Sequence, residues 1–435
     1  MAYPLQYARW CDRSQIADAE HIAGAPMQIA TPVHIATPMH MRATPRGNVP
    51  SMAFTELASS DLFRALVVFA AAFRAGAAFA VIDQPRLPPL SGVHKHVGIS
   101  YTRCGGARMK LFYPARAPSD TSAKYCTDGR KTSDGMAGLV LFRQLGLSFL
   151  LAHLADADAG ASIDAPPATD ADLPLLVYSH GFGGNMDMAT YLMRAFASHG
   201  IVVAAVEHTD GTASFTTTGN DDVPKPFEPL ALSRKEQLNR RADELLAAAE
   251  PGALSLPQGL SVGDTFIGGH SFGGPAALLA SANAPARGIS VRGLLLHDPA
   301  LGMGADVWAI RRGARDVPTL SYVSDEYDRY GVRCGDATLH TVGGFHGNFV
   351  DAPLWAPNWV MAPLSFVIPA SGPCDPVEMH EALARTARIF FDAVSEGGEV
   401  PTEEILRASA SPRASEGCRP LLELGGTSAD AAGGA

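Results

Sequence analysis

The chain has 435 residues, 47% of them hydrophobic and 18% charged, with a formal net charge of −10 at pH 7. That length and apolar share allow one large catalytic domain with appendages, or two modest domains. The charge is spread thinly, without a long basic run, so no nucleic-acid partner is expected, because phosphate binding needs clustered Lys and Arg. Any membrane contact would rest on apolar side chains.

Residues 1 to about 60 are rich in Ala, Pro, Met and His, and the near-repeat Ile29-Ala-Thr-Pro, Ile35-Ala-Thr-Pro reads as low complexity. The apolar run Ala65–Ile82 follows, with Arg74 at its centre. A charge at a bilayer's midplane costs roughly 3 kcal/mol. With a start at Met52 the run would be a signal peptide ending at Ala78-Phe-Ala80, though Arg74, Glu56 and Asp61 argue against it. Residues 1–90 are thus expected to be a low-complexity extension carrying a signal, an anchor or a surface helix; the first two would make the protein secreted or membrane-associated. The six cysteines (Cys11, Cys104, Cys126, Cys334, Cys374, Cys418) form no C-x-x-C pair, so no structural zinc is expected, and one disulfide, two or none all fit. None of the seven asparagines begins an N-x-[ST] acceptor.

From Val93 to about Gly397, apolar strands alternate with helices. This pattern predicts an α/β fold, a mainly parallel sheet with helices on both faces, as a catalytic domain over 91–400. Strands are expected at Met109–Tyr113, Leu175–Ser179, Val202–Val206, Thr265–Gly268, Gly293–Leu296, Thr319–Val323 and Leu339–Val342, with helices at Leu232–Ala249, Pro275–Ala284 and Pro376–Val394. Residues 401–435 run out into Ser, Ala and Gly and are expected to be disordered.

The chemistry centres on Gly269-His270-Ser271-Phe272-Gly273, a G-x-S-x-G between an apolar strand and an Ala/Leu-rich helix. That context is the nucleophile elbow of α/β-hydrolases, where small flanking residues let a serine stand on a strained turn. Ser271 is the expected nucleophile. His270 is expected to point away and pack. The strand Leu175–Ser179 runs into His180-Gly-Phe-Gly-Gly184, a loop placed to donate to an oxyanion, so the expected donors are the amides of Phe182 and Phe272. A phosphate-cradling loop is excluded, because no G-K-[ST] follows.

Along this fold the order is Ser, acid, His. His340 lies within a strand, and His380 is expected on the polar side of the last helix. His346, in Gly343-Gly-Phe-His-Gly-Asn-Phe349, is left as the base. Asp298 follows one strand and Asp325 with Glu326 follows the next, so spacing leaves the acid open. No His/carboxylate cluster has metal-ligand spacing, and His94-Lys-His96 reads as a surface turn; neither metal nor cofactor is expected.

These segments together resemble the platelet-activating factor acetylhydrolase family, calcium-independent phospholipases A2. The resemblance is carried by Arg108–Ala115, Val177–Gly183, Ala197-Ser-His-Gly-Ile-Val-Val-Ala-Ala-Val-Glu-His208, Gly269–Gly274, Ser324–Tyr327 and His346–Asp351, within about 95–395. It implies a Ser271–Asp298–His346 triad, because in that family the acid follows the strand directly after the nucleophile helix. It also implies a lipid ester substrate, the sn-2 ester of phospholipids with short or oxidised chains, and contact with a membrane or lipoprotein surface. Leu139–Leu154 and Trp355–Phe366 are the apolar segments available for such contact, or for a lid or core. Chlorophyllase carries a similar Gly-His-Ser-x-Gly-Gly elbow and is the rival within the esterases. An acyltransferase or a non-catalytic binding protein are the readings from other classes.

Overall fold

The computed structural model describes residues 87–139, 142–143, 146–219, 222–303, 317–356, 370–409 and 422–424. The chain divides into two units, residues 1–81 and 82–435, and the first, with nearly all of the apolar run 65–82, lies outside the described residues.

In chain order the second unit forms β1 (His96–Cys104), β2 (Ala107–Ala115), β3 (Ser122–Lys124), α1 (Arg130–Leu139), β4 (Asp158–Ile163), β5 (Asp172–Ser179), α2 (Thr190–Ser198), β6 (Val202–Glu207) and the hairpin β7 (Phe215–Thr218) and β8 (Val223–Pro226). Next come α3 (Arg234–Ala249), β9 (Ser261–His270), α4 (Gly273–Asn283), β10 (Gly293–His297), β11 (Thr319–Val323), α5 (Asp325–Arg329), β12 (Ala337–Thr341), α6 (Pro376–Ser395), α7 (Thr402–Ser409) and β13 (Leu422–Leu424). Eleven of these strands make one sheet in the order β13-β12-β11-β10-β9-β5-β6-β2-β1-β4-β3. The six from β12 to β6 are parallel, and β2 and β13 join the two sides of that block antiparallel. This is the α/β-hydrolase fold.

The central strands are buried on both faces, which is why they read as continuous apolar runs rather than alternating ones. In β9, Ile267 faces a core shared with Leu238, Ala242 and Leu245 of α3 and with Ala276 and Ala277 of α4. Its neighbour Phe266 turns to the opposite face, where it stacks on Phe391 of α6 at 4.0 Å between ring centroids and meets Phe390 edge-on at 6.1 Å. α3 opens with a capping box, in which Ser233 accepts from the Glu236 amide and Glu236 accepts from the Ser233 amide.

Two sequence expectations change here. Within 401–435, expected to be disordered, α7 forms and Leu422–Leu424 extends the sheet beside β12; the rest of that stretch lies outside the described residues. His380, expected on the polar side of the last helix, is 3% exposed and donates from Nε2 to the Asn348 carbonyl at 2.9 Å. Cys104, Cys126, Cys334 and Cys374 are free thiols. Among the described residues, no helix is long and apolar enough to cross a membrane.

Phe266→Ala removes the ring that joins β9 to α6. It should lower the unfolding free energy by about 3–5 kcal/mol in urea titration. A loss below about 1 kcal/mol, the centre of the range for point substitutions in general, would contradict this account of the packing.

Candidate active site

β9 ends at His270, and the chain then turns sharply into α4. Ser271 occupies the turn with φ of 55°, a left-handed conformation that costs a non-glycine residue of the order of 1–3 kcal/mol. The turn is tight enough that a Cβ on Gly269 would lie 2.4 Å from the Gly273 carbonyl. Cross-strand bonds hold it in place: the Ser271 amide donates to the His297 carbonyl at 3.0 Å, and the Ser271 carbonyl accepts from the Ala300 amide at 2.9 Å. Asp298, at the end of the adjacent strand β10, is also left-handed, with φ of 44°. Its amide donates to the Tyr322 carbonyl at 2.8 Å.

His346 opens a single 3₁₀ turn, His346–Phe349, shortly after β12. Its Nδ1 lies 2.8 Å from Asp298 Oδ2, and Asp298 Oδ1 accepts from the Ser324 amide at 2.7 Å. A carboxylate only accepts, so Nδ1 carries the proton and Nε2 is the basic nitrogen. Asp298 is fully buried. Asp325, another acid allowed by spacing, is engaged elsewhere: Oδ1 takes His340 Nε2 at 2.7 Å and the Gly343 amide at 3.0 Å.

Ser271, His346, Gly181 and Phe182 line one cavity of about 220 Å³. Most of the remaining wall is apolar, with Met186, Met188, Met193, Val206, Val350 and Trp355, while His180, Asn185 and His270 add polar groups. Phe272 lies behind this wall, its ring 6.0 Å from that of Phe182. Gly181 approaches the elbow so closely that a Cβ on it would sit 3.0 Å from Ser271 Cβ.

His270 does not turn away, contrary to expectation. It lines the cavity, its ring lies 4.5 Å from that of His346, and its Nε2 donates to the His346 carbonyl at 3.2 Å. Burial, with His346 nearby, holds His270 neutral by pushing its pKa well below the ordinary value. Two further supports were not assigned from sequence. Glu326 accepts the His346 amide at 3.0 Å, and Tyr327 stacks on the imidazole at 5.1 Å with an interplanar angle of 8°. The signal for both lies in Ser324-Asp-Glu-Tyr327, one of the stretches that carry the resemblance.

The apolar segments proposed for surface contact are largely turned inward where they are described. Phe142, Leu147, Leu150, Leu151 and Leu154 are buried, as is Trp355 at 1% exposure; residues 357–366 lie outside the described ones. Leu139 is the exception, at 39% exposure.

Residues 79–248 match the family model of platelet-activating factor acetylhydrolase, isoform II. The chain is similar to that family. Platelet-activating factor acetylhydrolase of Canis lupus familiaris is 29% identical over 191 residues, which cover 38% of this chain and 41% of the dog protein. That of Bos taurus is 30% identical over 193 residues, with the same coverage. The chain thus spans about two-fifths of the length of these curated relatives. The family match includes the Gly181–Gly184 loop and ends before Ser271. Among solved structures, a ferulic acid esterase from Streptomyces cinnamoneus is 19% identical with a TM-score of 0.49, covering 79% of this chain and 98% of the esterase.

One residue of the His346–Asp351 stretch ties the histidine turn to the rest of the domain. Asp351 Oδ2 accepts from the Tyr125 hydroxyl at 2.9 Å and the Tyr191 amide at 2.8 Å, and Oδ1 accepts from the Leu192 amide at 3.3 Å, so it caps α2 from a distant segment. Burial raises its pKa from 3.8 to about 7. The folded state then keeps a proton that the unfolded chain releases, so the unfolding free energy falls as pH rises from about 4 to about 7 and levels off above. Unfolding titrations of wild type and Asp351→Asn from pH 5 to 8 should show the wild type losing stability relative to the variant up to about pH 7. A difference that stays flat across that range would refute the assignment.

Proposed function

We propose that the chain is a serine esterase that hydrolyses the sn-2 ester of phospholipids with short or oxidised acyl chains. The observation that carries this reading is the His346–Asp298 pair at 2.8 Å, whose histidine lines the same cavity as Ser271 on its strained turn. Similarity to the acetylhydrolases supports the substrate class.

In the proposed mechanism His346 Nε2 takes the Ser271 proton as Oγ attacks the ester carbonyl. The amides of Phe182 and Phe272 receive the oxyanion. The C–O bond to the glycerol breaks, the departing oxygen takes the proton from His346, and the acyl group remains on Ser271. Water, deprotonated by His346, then attacks the acyl carbon; the bond to Ser271 Oγ breaks, Oγ takes the proton back from His346, and the acid is released. Asp298 stays ionised and stabilises the imidazolium.

The cavity supports the short-chain preference. At about 220 Å³ it lies below the roughly 300–1,000 Å³ of sites for drug-sized ligands. A long chain drawn from lipid would also lose about 0.8 kcal/mol per methylene without an equal volume to refill. We assign contact with a lipid surface to the rim, where Leu139 reaches Gly183 and Phe227, 42% exposed, meets the Phe182 ring edge-on.

Ser271→Ala should lower turnover by about a millionfold while the circular dichroism spectrum is unchanged; near-normal activity would end the proposal. Asp298→Asn should cost about ten-thousandfold by holding the imidazole in the wrong tautomer, and Asp325→Asn much less. The reverse order would make Asp325 the acid. A rate series at fixed headgroup, with sn-2 chains from acetyl to palmitoyl, should fall with length. A level or rising series would reject the short-chain substrate, and faster cleavage of a phytyl ester would favour chlorophyllase-like activity.

A further inference from the structure

Arg241 sits in the middle of α3, a helix whose sequence is dominated by charged residues, yet it is fully buried. Its fork is saturated. Nε donates to Asp210 Oδ2 at 2.8 Å; Nη1 donates to Ser179 Oγ at 3.4 Å and to the His180 carbonyl; Nη2 donates to the Gly181 carbonyl at 3.5 Å and to Thr212 Oγ1. A guanidinium has five N–H donors, and all five have acceptors. Its plane also lies over the Phe272 ring, 4.8 Å from the centroid.

Two of those acceptors are the carbonyls that open the glycine-rich loop. The Gly181 carbonyl is fixed further by the Gly184 amide at 3.0 Å and by His180 Nδ1 at 2.8 Å. In a trans peptide the N–H lies opposite the C=O. With the Gly181 oxygen drawn toward Arg241, the Phe182 N–H of the same peptide is turned away from the guanidinium.

The same ion reaches the other half of the site. Beyond its contact with the Phe272 ring, it holds Ser179, against whose carbonyl Gly273 is packed so closely that a Cβ there would lie 2.2 Å away. Ser179 Oγ continues to His208 Nε2 at 2.7 Å, and His208 Nδ1 to Glu244 Oε2 at 2.7 Å. This Ser–His–Glu chain has the connectivity of a hydrolase triad. Its members are at most 1% exposed and do not line the cavity, so it is a brace and not a second catalytic site. It gives a physical role to His208, the polar end of the Ala197–His208 stretch.

We propose that Arg241 is the positioning residue of the oxyanion hole, orienting the Gly181–Phe182 peptide and seating Phe272 so that both amides converge before substrate arrives. The inference rests on the reading of those amides as the oxyanion donors. Asp210 neutralises the guanidinium, so its contribution is geometric, with no direct contact to substrate.

The test compares wild type with Arg241→Met/Asp210→Asn, which removes the ion pair as a unit, and with Arg241→Lys, which keeps the charge but not the fork. Both are assayed on a short-chain p-nitrophenyl ester and for inhibition by a trifluoromethyl ketone, whose serine adduct carries an oxyanion. In each, kcat should fall by about a hundredfold, the order seen on losing one oxyanion donor, with KM within about twofold and trifluoromethyl ketone affinity falling in parallel. The pH at which activity half-rises should not move. A folded variant that keeps kcat within a few fold, or loses kcat while binding the ketone as tightly as wild type, overturns the proposal. Should the double variant fail to fold, Arg241→Lys decides by the same two numbers. Ser271→Ala runs alongside: activity retained there would defeat the serine reading itself, whatever Arg241 does.

Discussion

Two backbone conformations that non-glycine residues avoid, at Ser271 and Asp298, set the geometry of the site, and both are held by hydrogen bonds running from one strand end to the next. The Ser271 amide is bonded to the end of β10, and the Asp298 amide to the end of β11. Parallel pairing aligns His270 with His297 and His297 with Tyr322, so three successive strands finish level and each strained residue is fixed by its neighbour. Strain of this kind persists only where the surroundings over-determine it. Here they do so through the sheet's own ladder.

Around that line of strand ends, neutral histidines fill the interior. Burial lowers His297 to about 3 and His380 to about 4, and holds His180 and His208 well below their ordinary range. Each is used for shape and hydrogen bonding: His297 takes the Tyr178 hydroxyl at 2.7 Å and stacks on Phe349. His346 differs in its surroundings. Its side chain is 25% exposed and its Nδ1 faces a buried carboxylate, so among these imidazoles it combines solvent access with a partner for its charged form.

The elbow and the parallel strands were legible in the sequence because both are local: apolar runs of strand length, and small residues where a turn has no room for more. Spacing alone left the acid open, since Asp298 and Asp325 each follow a strand; the resemblance favoured Asp298, and the fold places His340 against Asp325 and His346 against Asp298. His270 and His380 depart from their expected places for a related reason: helical or strand position says which way a side chain starts, not what is waiting there. α3 is the plainest case. Among its many charged residues, Gln237, Arg241 and Glu244 lie one turn apart on its buried side, and Asp210 and His208, partners of Arg241 and Glu244, come from a loop more than thirty residues away in sequence.

The Gly181–Phe182 peptide separates two environments. On one side lies the guanidinium with its carboxylate and hydroxyls; on the other lies a cavity walled by Met186, Met188, Met193 and Trp355. Methionine adapts its shape to whatever fills the space beside it, and none of these four side chains bonds to the Arg241 fork. Substitutions that remodel the wall thus leave the polar brace untouched, whereas the fork has no spare donor and tolerates change only as a unit. Under the proposed mechanism, such a division would let the range of accepted esters drift under selection while the groups assigned to the developing charge stay constant, and it marks the methionine wall as the place to begin redesign.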